Sequence, residues 1–411
     1  MARRNGLAAI AVFLILNCQI ASAQSTVGMD DVVRLETIDL ALEGASLSPD
    51  GRVVVAHGGD PSIFLIDPIE PRNHVKLDSL GFSGLHDSSF HPSSESALIV
   101  GEGGVVLRLV MENNSLEKVG GEVDFGTTDL YSVSWNSDGS WAYIGGEEGW
   151  IWRVRSLEGA GLEAIPLDGR GQSDVNGISC ISGQRFCVIS SSVDGIGVID
   201  ENHEVKWIGG VGYPWVGVVC PSSSELSCVC VSTELTIAVV TINSQDASKS
   251  VIFDNDIVRL QGIDGMIRGI NFQHDGRSLI SIAPFGLIEH DIYERTSYKW
   301  IENSDAVNFS VEVSDEMIVS SWGAGPFEGW LITSEGTMVS YSLNEGNSGS
   351  GLLGIWIGVV IIGGTSLLFL SLLTSSSPRL SRLVAKWIGS EEERKRAIRE
   401  ERVSSRKRKR A

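Results

Sequence analysis

VSWNSDGSWAYIGGEEGWIWRV, residues 133–154, sets Trp135, Trp141 and Trp152 around two acidic turns, Asp138-Gly139 and Glu147-Glu148-Gly149. Read as strands, the stretch falls into three pieces, 131–135, 140–145 and 150–154. Each piece is rich in β-branched or aromatic residues, and each break carries turn chemistry. An antiparallel meander fits, but three or four strands alone cannot bury an aromatic face. The sheet must pack against something, and copies of itself are the first candidates.

Those copies run along the 411-residue chain. ASLSPDGRVVVAHGGD starts at Ala45, SSFHPSSESALIVGEGG at Ser88 and ISCISGQRFCVISSSVDG at Ile178. VVCPSSSELSCVCVSTEL follows from Val218, INFQHDGRSLISIAPFG from Ile270, and a worn copy, VEVSDEMIVSSWGAG, from Val311. The apolar landmarks Leu47, Phe90, Trp135, Cys180, Cys220 and Phe272 are 43, 45, 45, 40 and 52 residues apart. A four-stranded blade needs this length, so the period predicts an all-β, seven-bladed β-propeller over residues 24–343. A β-helix would need a shorter repeat, and two β-sandwiches would not show this one. The propeller also suits an exported part of 327 residues, longer than the ~250–300 at which one continuous core stops growing. Trp135 is expected inside the blade stack.

The turns SLSPDG (46–51), SWNSDG (134–139) and NFQHDG (271–276), each followed by an apolar strand and a glycine turn, resemble those of the WD-repeat and YVTN-type propeller superfamily. The resemblance spans about residues 31–343 and implies fold far more than function. The Trp-Asp dipeptide that ends such repeats is absent, with WRV at 152–154 and LID at 65–67 in its place. GEGGVVLRL and GGEEGWIWRV are also similar to repeats of exported propellers that help assemble membrane complexes.

Both ends of the chain point to a membrane. Residues 1–23 have the three parts of an export signal: Arg3 and Arg4, an apolar stretch over 7–16, and Ala21-Ser22-Ala23. Residues 351–373 carry no charge over 23 positions, enough for one transmembrane helix. A linker, 344–350, precedes it, and Arg379, Arg382 and Lys386 follow it, which predicts the propeller outside and the tail 374–411 in the cytoplasm. Gly354 and Gly358 form a GxxxG pair suited to a dimer contact. The tail carries +8, with a basic amphipathic helix around Leu380, Leu383, Val384, Trp387 and Ile388, then a charged helix EEERKRAIREER and a terminal RKRKR. It suits anionic lipid of the inner leaflet. Residues 24–350 hold 17 basic and 47 acidic residues, a charge of −30 that excludes nucleic-acid binding and favours either plain solubility or a cationic partner.

Four residues before the landmarks stand Glu43, His86, Tyr131, Asn176, Val216 and Arg268, with Asn308 as the seventh-blade equivalent. One position earlier the residue is always apolar: Leu42, Leu85, Leu130, Val175, Trp215 and Ile267. The varied set, with Glu43, His86, Tyr131, Asn176 and Arg268 at its centre, is either a binding ring at one mouth of the channel or ordinary strand-start chemistry. Protein or glycan partners suit such a ring. Asp60, Glu102, Glu147, Glu148, Asp194 and Glu234 fall in the turns after second strands and read as caps for loop amides rather than a cation site.

No cofactor motif is visible. The seven histidines show no metal spacing, His86-Asp87 reads as structural, and the SSS runs lack a nucleophile elbow. A non-enzymatic binding or assembly scaffold is therefore expected, with a propeller hydrolase or lyase as the alternative. Cys180/Cys187 and Cys220/Cys228 occupy matching places in adjacent blades, within disulfide reach across a hairpin, with Cys230 left over. Buried reduced thiols are the plain alternative. Asn113 (NNS) and Asn308 (NFS) are glycosylation acceptors. A glycan on Asn308 would conflict with binding at a mouth beside it.

Overall fold

Alternating apolar residues and glycine-bearing turns build seven antiparallel sheets of four strands each. The structure is a computed structural model and describes residues 27–157, 161–221, 224, 226–325, 327–343 and 390–408. The first sheet runs outward in chain order through Leu42–Leu47, Val54–Gly58, Ser62–Ile66 and His74–Asp78. The next six inner strands are Leu85–Phe90, Leu130–Trp135, Val175–Cys180, Trp215–Val219, Met266–His274 and Ile318–Gly325. Each inner strand contacts the next, and Ile318–Gly325 returns to touch Leu42–Leu47, closing a ring. This is the seven-bladed β-propeller that the repeat predicts.

Seven separate apolar clusters hold it together, one in each seam between neighbouring blades. The seam of blades three and four, for example, joins Tyr143 and Ile151 to Val175, Ile189 and Ile199. Each blade thus buries its faces against two neighbours, and size is no limit.

The tryptophans of the third blade divide between two jobs. Trp152 is 5% exposed, meets Phe125 edge-on at 5.2 Å and stacks with Trp150 at 5.5 Å. Trp135 departs from expectation. It is the last residue of its inner strand, where the seam opens at the rim, so it is only partly buried and lines a cavity.

The ring is closed by a strand that shows no repeat. Val27–Arg34 pairs antiparallel with Thr337–Leu343 as the outer strand of the seventh blade, with Val33 opposite Met338. The seventh inner strand also begins later than the worn copy implies. Val311–Ser314 is helical, and the inner strand is Ile318–Gly325. Four residues of alternation are too few to separate a strand from a helical turn. Val27 pairs with Leu343, so the last strand leaves by the rim opposite the starts of the inner strands.

Two disulfides, Cys180–Cys187 and Cys220–Cys228, join first and second strands in blades four and five, as the spacing predicts. Cys180 and Cys187 are direct cross-strand partners with Cα atoms 3.9 Å apart. Cys230 is buried and free, and burial pushes its thiol pKa up.

The chain divides into two units, Met1–Asn344 and Glu345–Ala411. In the second, Glu391–Arg408 forms one charged helix. Among the described residues no helix is long and apolar enough to cross a membrane. The export segment 1–23, the linker 344–350, the apolar segment 351–373 with Gly354 and Gly358, and the amphipathic part of the tail lie outside the described residues.

Candidate functional site: one mouth of the channel

Every inner strand skips one residue of its ladder at the same place. Leu42 pairs with Gly58 and Gly44 with His57, leaving Glu43 without a partner in the second strand. The same skip isolates His86, Tyr131, Asn176, Val216, Arg268 and Val319. A β-bulge sharpens the local twist and re-aims the extra side chain. Seven bulges therefore set a ring of unlike side chains at one mouth. The apolar residues just before six of them, from Leu42 to Ile267, are at most 3% exposed. Asn308 is not the seventh member; it lies on the helix Asn303–Phe309, and the register gives that place to Val319.

The position after each bulge explains how the ring fits. It holds Gly44, Asp87, Ser132, Gly177, Gly217, Gly269 and Ser320, small in six of seven cases. A Cβ on Gly177 would lie 3.0 Å from the Val218 nitrogen on the next inner strand, so bulk there would push the blades apart. Farther along, hydroxyls stitch neighbouring inner strands. Ser46 Oγ donates to the Ser88 carbonyl at 2.6 Å, and Ser134 and Ser179 Oγ accept from the Cys180 and Cys220 nitrogens at 3.3 and 3.0 Å. Ser320 Oγ donates to the Ala45 carbonyl at 2.7 Å across the closing seam.

Three ring members form a contiguous patch. Glu43 Oε2 is hydrogen-bonded to His86 Nδ1, and the His86 and Tyr131 rings sit 5.1 Å apart. Tyr131 Oη lies 3.5 Å from Glu147 Oε1. Burial by itself would lower the His86 pKa; the hydrogen bond and charge of Glu43, with Glu102 and Asp129 behind it, outweigh that and raise it. Burial, then the carboxylates of Glu147, Asp174 and Asp129, push the Tyr131 phenol up to about 12. The carboxylates of Glu43, Glu102, Asp129, Glu147 and Asp174 contribute to these shifts and make this mouth negative. The remaining members stand apart. Asn176 donates to the Trp215 carbonyl at 2.8 Å, and exposed Arg268 reaches Met317 Sδ at 3.0 Å.

His86-Asp87 is not a working pair. Asp87 accepts from the Ser88 and Val133 nitrogens, both at 2.8 Å, and so ties blade two to blade three. Part of its surface is open, yet protein encloses the carboxyl, and burial pushes its pKa up to about 7 against those two donors.

Of the six turn acids, Asp194 and Glu147 cap loop amides. Asp194 Oδ2 accepts from the nitrogens of Gln172 and Ser173 at 2.8 and 2.7 Å, and Glu147 Oε2 from the Asp129 nitrogen at 3.4 Å. Two acids the sequence reading passed over do the same between blades: Asp129 accepts from the Gly103 nitrogen at 2.7 Å and Asp174 from the Glu148 nitrogen at 3.2 Å. Each directly precedes or closely precedes an inner strand, a signal that was there to be read. Among the described residues no cluster of three metal-ligating side chains exists. Asn113 is exposed in the turn between third and fourth strands of blade two, and Asn308 is exposed on its helix.

The chain matches no model of a known protein family, and no curated protein matches it.

Proposed function

We propose that this protein is a non-enzymatic binding or assembly scaffold that holds a partner, protein or glycan, at the mouth ringed by the seven bulged residues. The observation that carries the reading is the ring itself. Glu43, His86, Tyr131, Asn176 and Arg268 are lifted out of the ladder, and the ladder does not use them. Aromatic and arginine side chains so placed are the usual anchors of an interface. The negative field around His86 and Tyr131 favours a protein segment bearing positive charge. In this reading the propeller is of the WD-repeat and YVTN type, which the resemblance of its SLSPDG, SWNSDG and NFQHDG turns supports.

The setting we infer is a cell membrane. An export signal at 1–23 and a span at 351–373 would put the propeller outside, with the tail and its helix Glu391–Arg408 in the cytoplasm beside anionic lipid. Pairing through Gly354 and Gly358 would make a dimer. A glycan on Asn113 would stand clear of the ring, since its turn belongs to the other rim. The alternative, a hydrolase or lyase at the mouth, is disfavoured by Asp87, whose oxygens are both occupied by backbone donors.

Crosslinking on intact membranes tests the reading. A photoreactive residue at Tyr131 should capture a defined partner, and the same probe at exposed Ile69, in a turn of the opposite rim and with Tyr131 intact, should not. Equal capture at both places would refute a specific ring. For topology, external protease should remove the propeller and spare the tail; an antibody to the tail that stains unpermeabilised cells would overturn the orientation.

A further inference from the structure

The two glycosylation acceptors stand on opposite rims. Asn113 is in the turn between Val106–Val110 and Ser115–Gly120 of blade two, on the rim away from the ring. Asn308 is in the connection that leads from Thr296–Ile301 into Ile318–Gly325, on the rim that carries the ring. Both residues are exposed, so access alone does not choose between them.

Their conformations do. Glu112, Asn113 and Asn114 are all exposed at the tip of the turn, and Asn114 takes a φ of 52°, the left-handed region that asparagine tolerates. The turn folds Ser115 back onto Asn113, so that the Ser115 N–H and Oγ both donate to Asn113 Oδ1, at 3.2 and 2.7 Å. Two donors on the oxygen draw electron density onto it and make the Nδ2–H more acidic, which an amide nitrogen needs before it can attack carbon. Asn308 has no such support. It lies on the helix Asn303–Phe309, and the Ser310 N–H is spent on the Ala306 carbonyl at 2.7 Å. Ser310 also caps the next helix, Val311–Ser314, so the tripeptide is held between two helices.

We propose that Asn113 carries an N-linked glycan and that Asn308 stays bare, which leaves the mouth uncovered. The Asn113 Nδ2 attacks the anomeric carbon of an oligosaccharide carried on a lipid diphosphate, in the active site of a membrane oligosaccharyl transferase. The new C–N bond replaces the C–O bond to phosphate, the lipid diphosphate leaves with the electron pair, and the amide proton passes to a base of the transferase. A turn that projects three exposed residues can enter a foreign active site without unfolding, whereas the helix at Asn308 would have to unwind first. The inference rests on the export reading and is independent of what the ring binds.

Mass mapping of peptides from the whole protein, purified from the membranes of its own cells, tests it. The peptide with Asn113 should carry added glycan mass and the peptide with Asn308 none. Asn113→Gln and Ser115→Ala should each remove all glycan from the protein. Ser115→Thr, which keeps the hydroxyl, should retain it, and Asn308→Gln should change nothing. Should a variant fail to fold, the map of the parent protein decides by itself. A bare Asn113 or a glycan on Asn308 overturns the proposal. If Asn113 is bare, protease added outside intact cells separates the causes: a cut propeller leaves export standing, and a protected one removes both readings.

Discussion

Arg34 and Glu316 stand 282 positions apart in the chain and 2.9 Å apart in the fold, where their ion pair ties the N-terminal strand to the seventh blade. Glu316 is 2% exposed and also accepts from Thr337 Oγ1 at 3.0 Å and from Thr333 Oγ1. Arg34 keeps 44% of its side chain in solvent. Around them, the Asp31 carboxylate takes Arg72 at 2.7 Å, and the Asp31 backbone N–H donates to Ser340 Oγ at 2.8 Å. This is the clasp that turns a row of blades into a closed ring.

The clasp should be asymmetric. Glu316→Ala strands two threonine hydroxyls and the arginine, and should cost about 3 kcal/mol in denaturant unfolding. Arg34→Ala removes a half-exposed partner and should cost no more than about 1 kcal/mol. Equal costs would mean that the carboxylate gains most of its support from Arg34 rather than from the threonines.

For the ring, Tyr131→Ala and Arg268→Ala should each leave stability within about 0.5 kcal/mol, as surface changes do. Partner capture should fall by far more. Trp215, 0% exposed, is the proper buried control, and Trp215→Ala should cost about 3–5 kcal/mol. A Tyr131 variant that unfolds like the Trp215 variant would make the ring structural.

The two disulfides close loops with sequence separations of 7 and 8. By loop entropy, replacing either pair with alanine should cost about 2 kcal/mol. In the native protein, alkylation should label none of Cys180, Cys187, Cys220, Cys228 and Cys230. After unfolding without reduction it should label Cys230 alone, read by peptide mass. Labelling of all five would show reduced thiols.

Stability should fall in mild acid through His57. Its ring is fully buried, with Nδ1 3.0 Å from the Leu85 carbonyl and Nε2 3.0 Å from Ser88 Oγ, and burial lowers its pKa from 6.5 to about 4. Between those values the unfolded chain takes up a proton that the fold refuses. The contribution is therefore full above pH 6.5 and lost as pH falls toward 4, at most about 3 kcal/mol. His290, also lowered to about 4 by burial, acts in the same direction. Asp87, raised to about 7, acts against both, because its proton is held by the fold and lost from the unfolded chain as pH rises from 3.8 to 7. Comparing His57→Gln with the parent isolates the first effect: the variant's stability should be flatter between pH 6.5 and 4. Parallel curves would mean that His57 does not titrate against the fold.

The sequence by itself determined the blades. Alternation of apolar residues, turns such as SWNSDG and a recurrence of 40 to 52 residues are local signals, and each blade needs only those to form its own hairpins. The disulfides were legible for the same reason, since both join neighbouring strands of one hairpin. The ring positions could be named from the repeat wherever the repeat was clear. In the seventh blade it was not, and there Asn308 stood for Val319.

Tertiary structure decided what lies between distant segments. No pattern in VGMDDVVR announces that it pairs with Thr337–Leu343, because an outer edge strand buries little and its partner lies some 300 residues away. Nor does the sequence reveal that Glu43 bonds His86, that Asp129 and Asp174 cap the turns of neighbouring blades, or that Trp135 packs at the edge of its seam and lines a cavity with Arg108. Each of these is a contact across a seam. Side-chain period and turn chemistry fix the face a residue takes within its own sheet, but the neighbour it meets is set only when the ring closes.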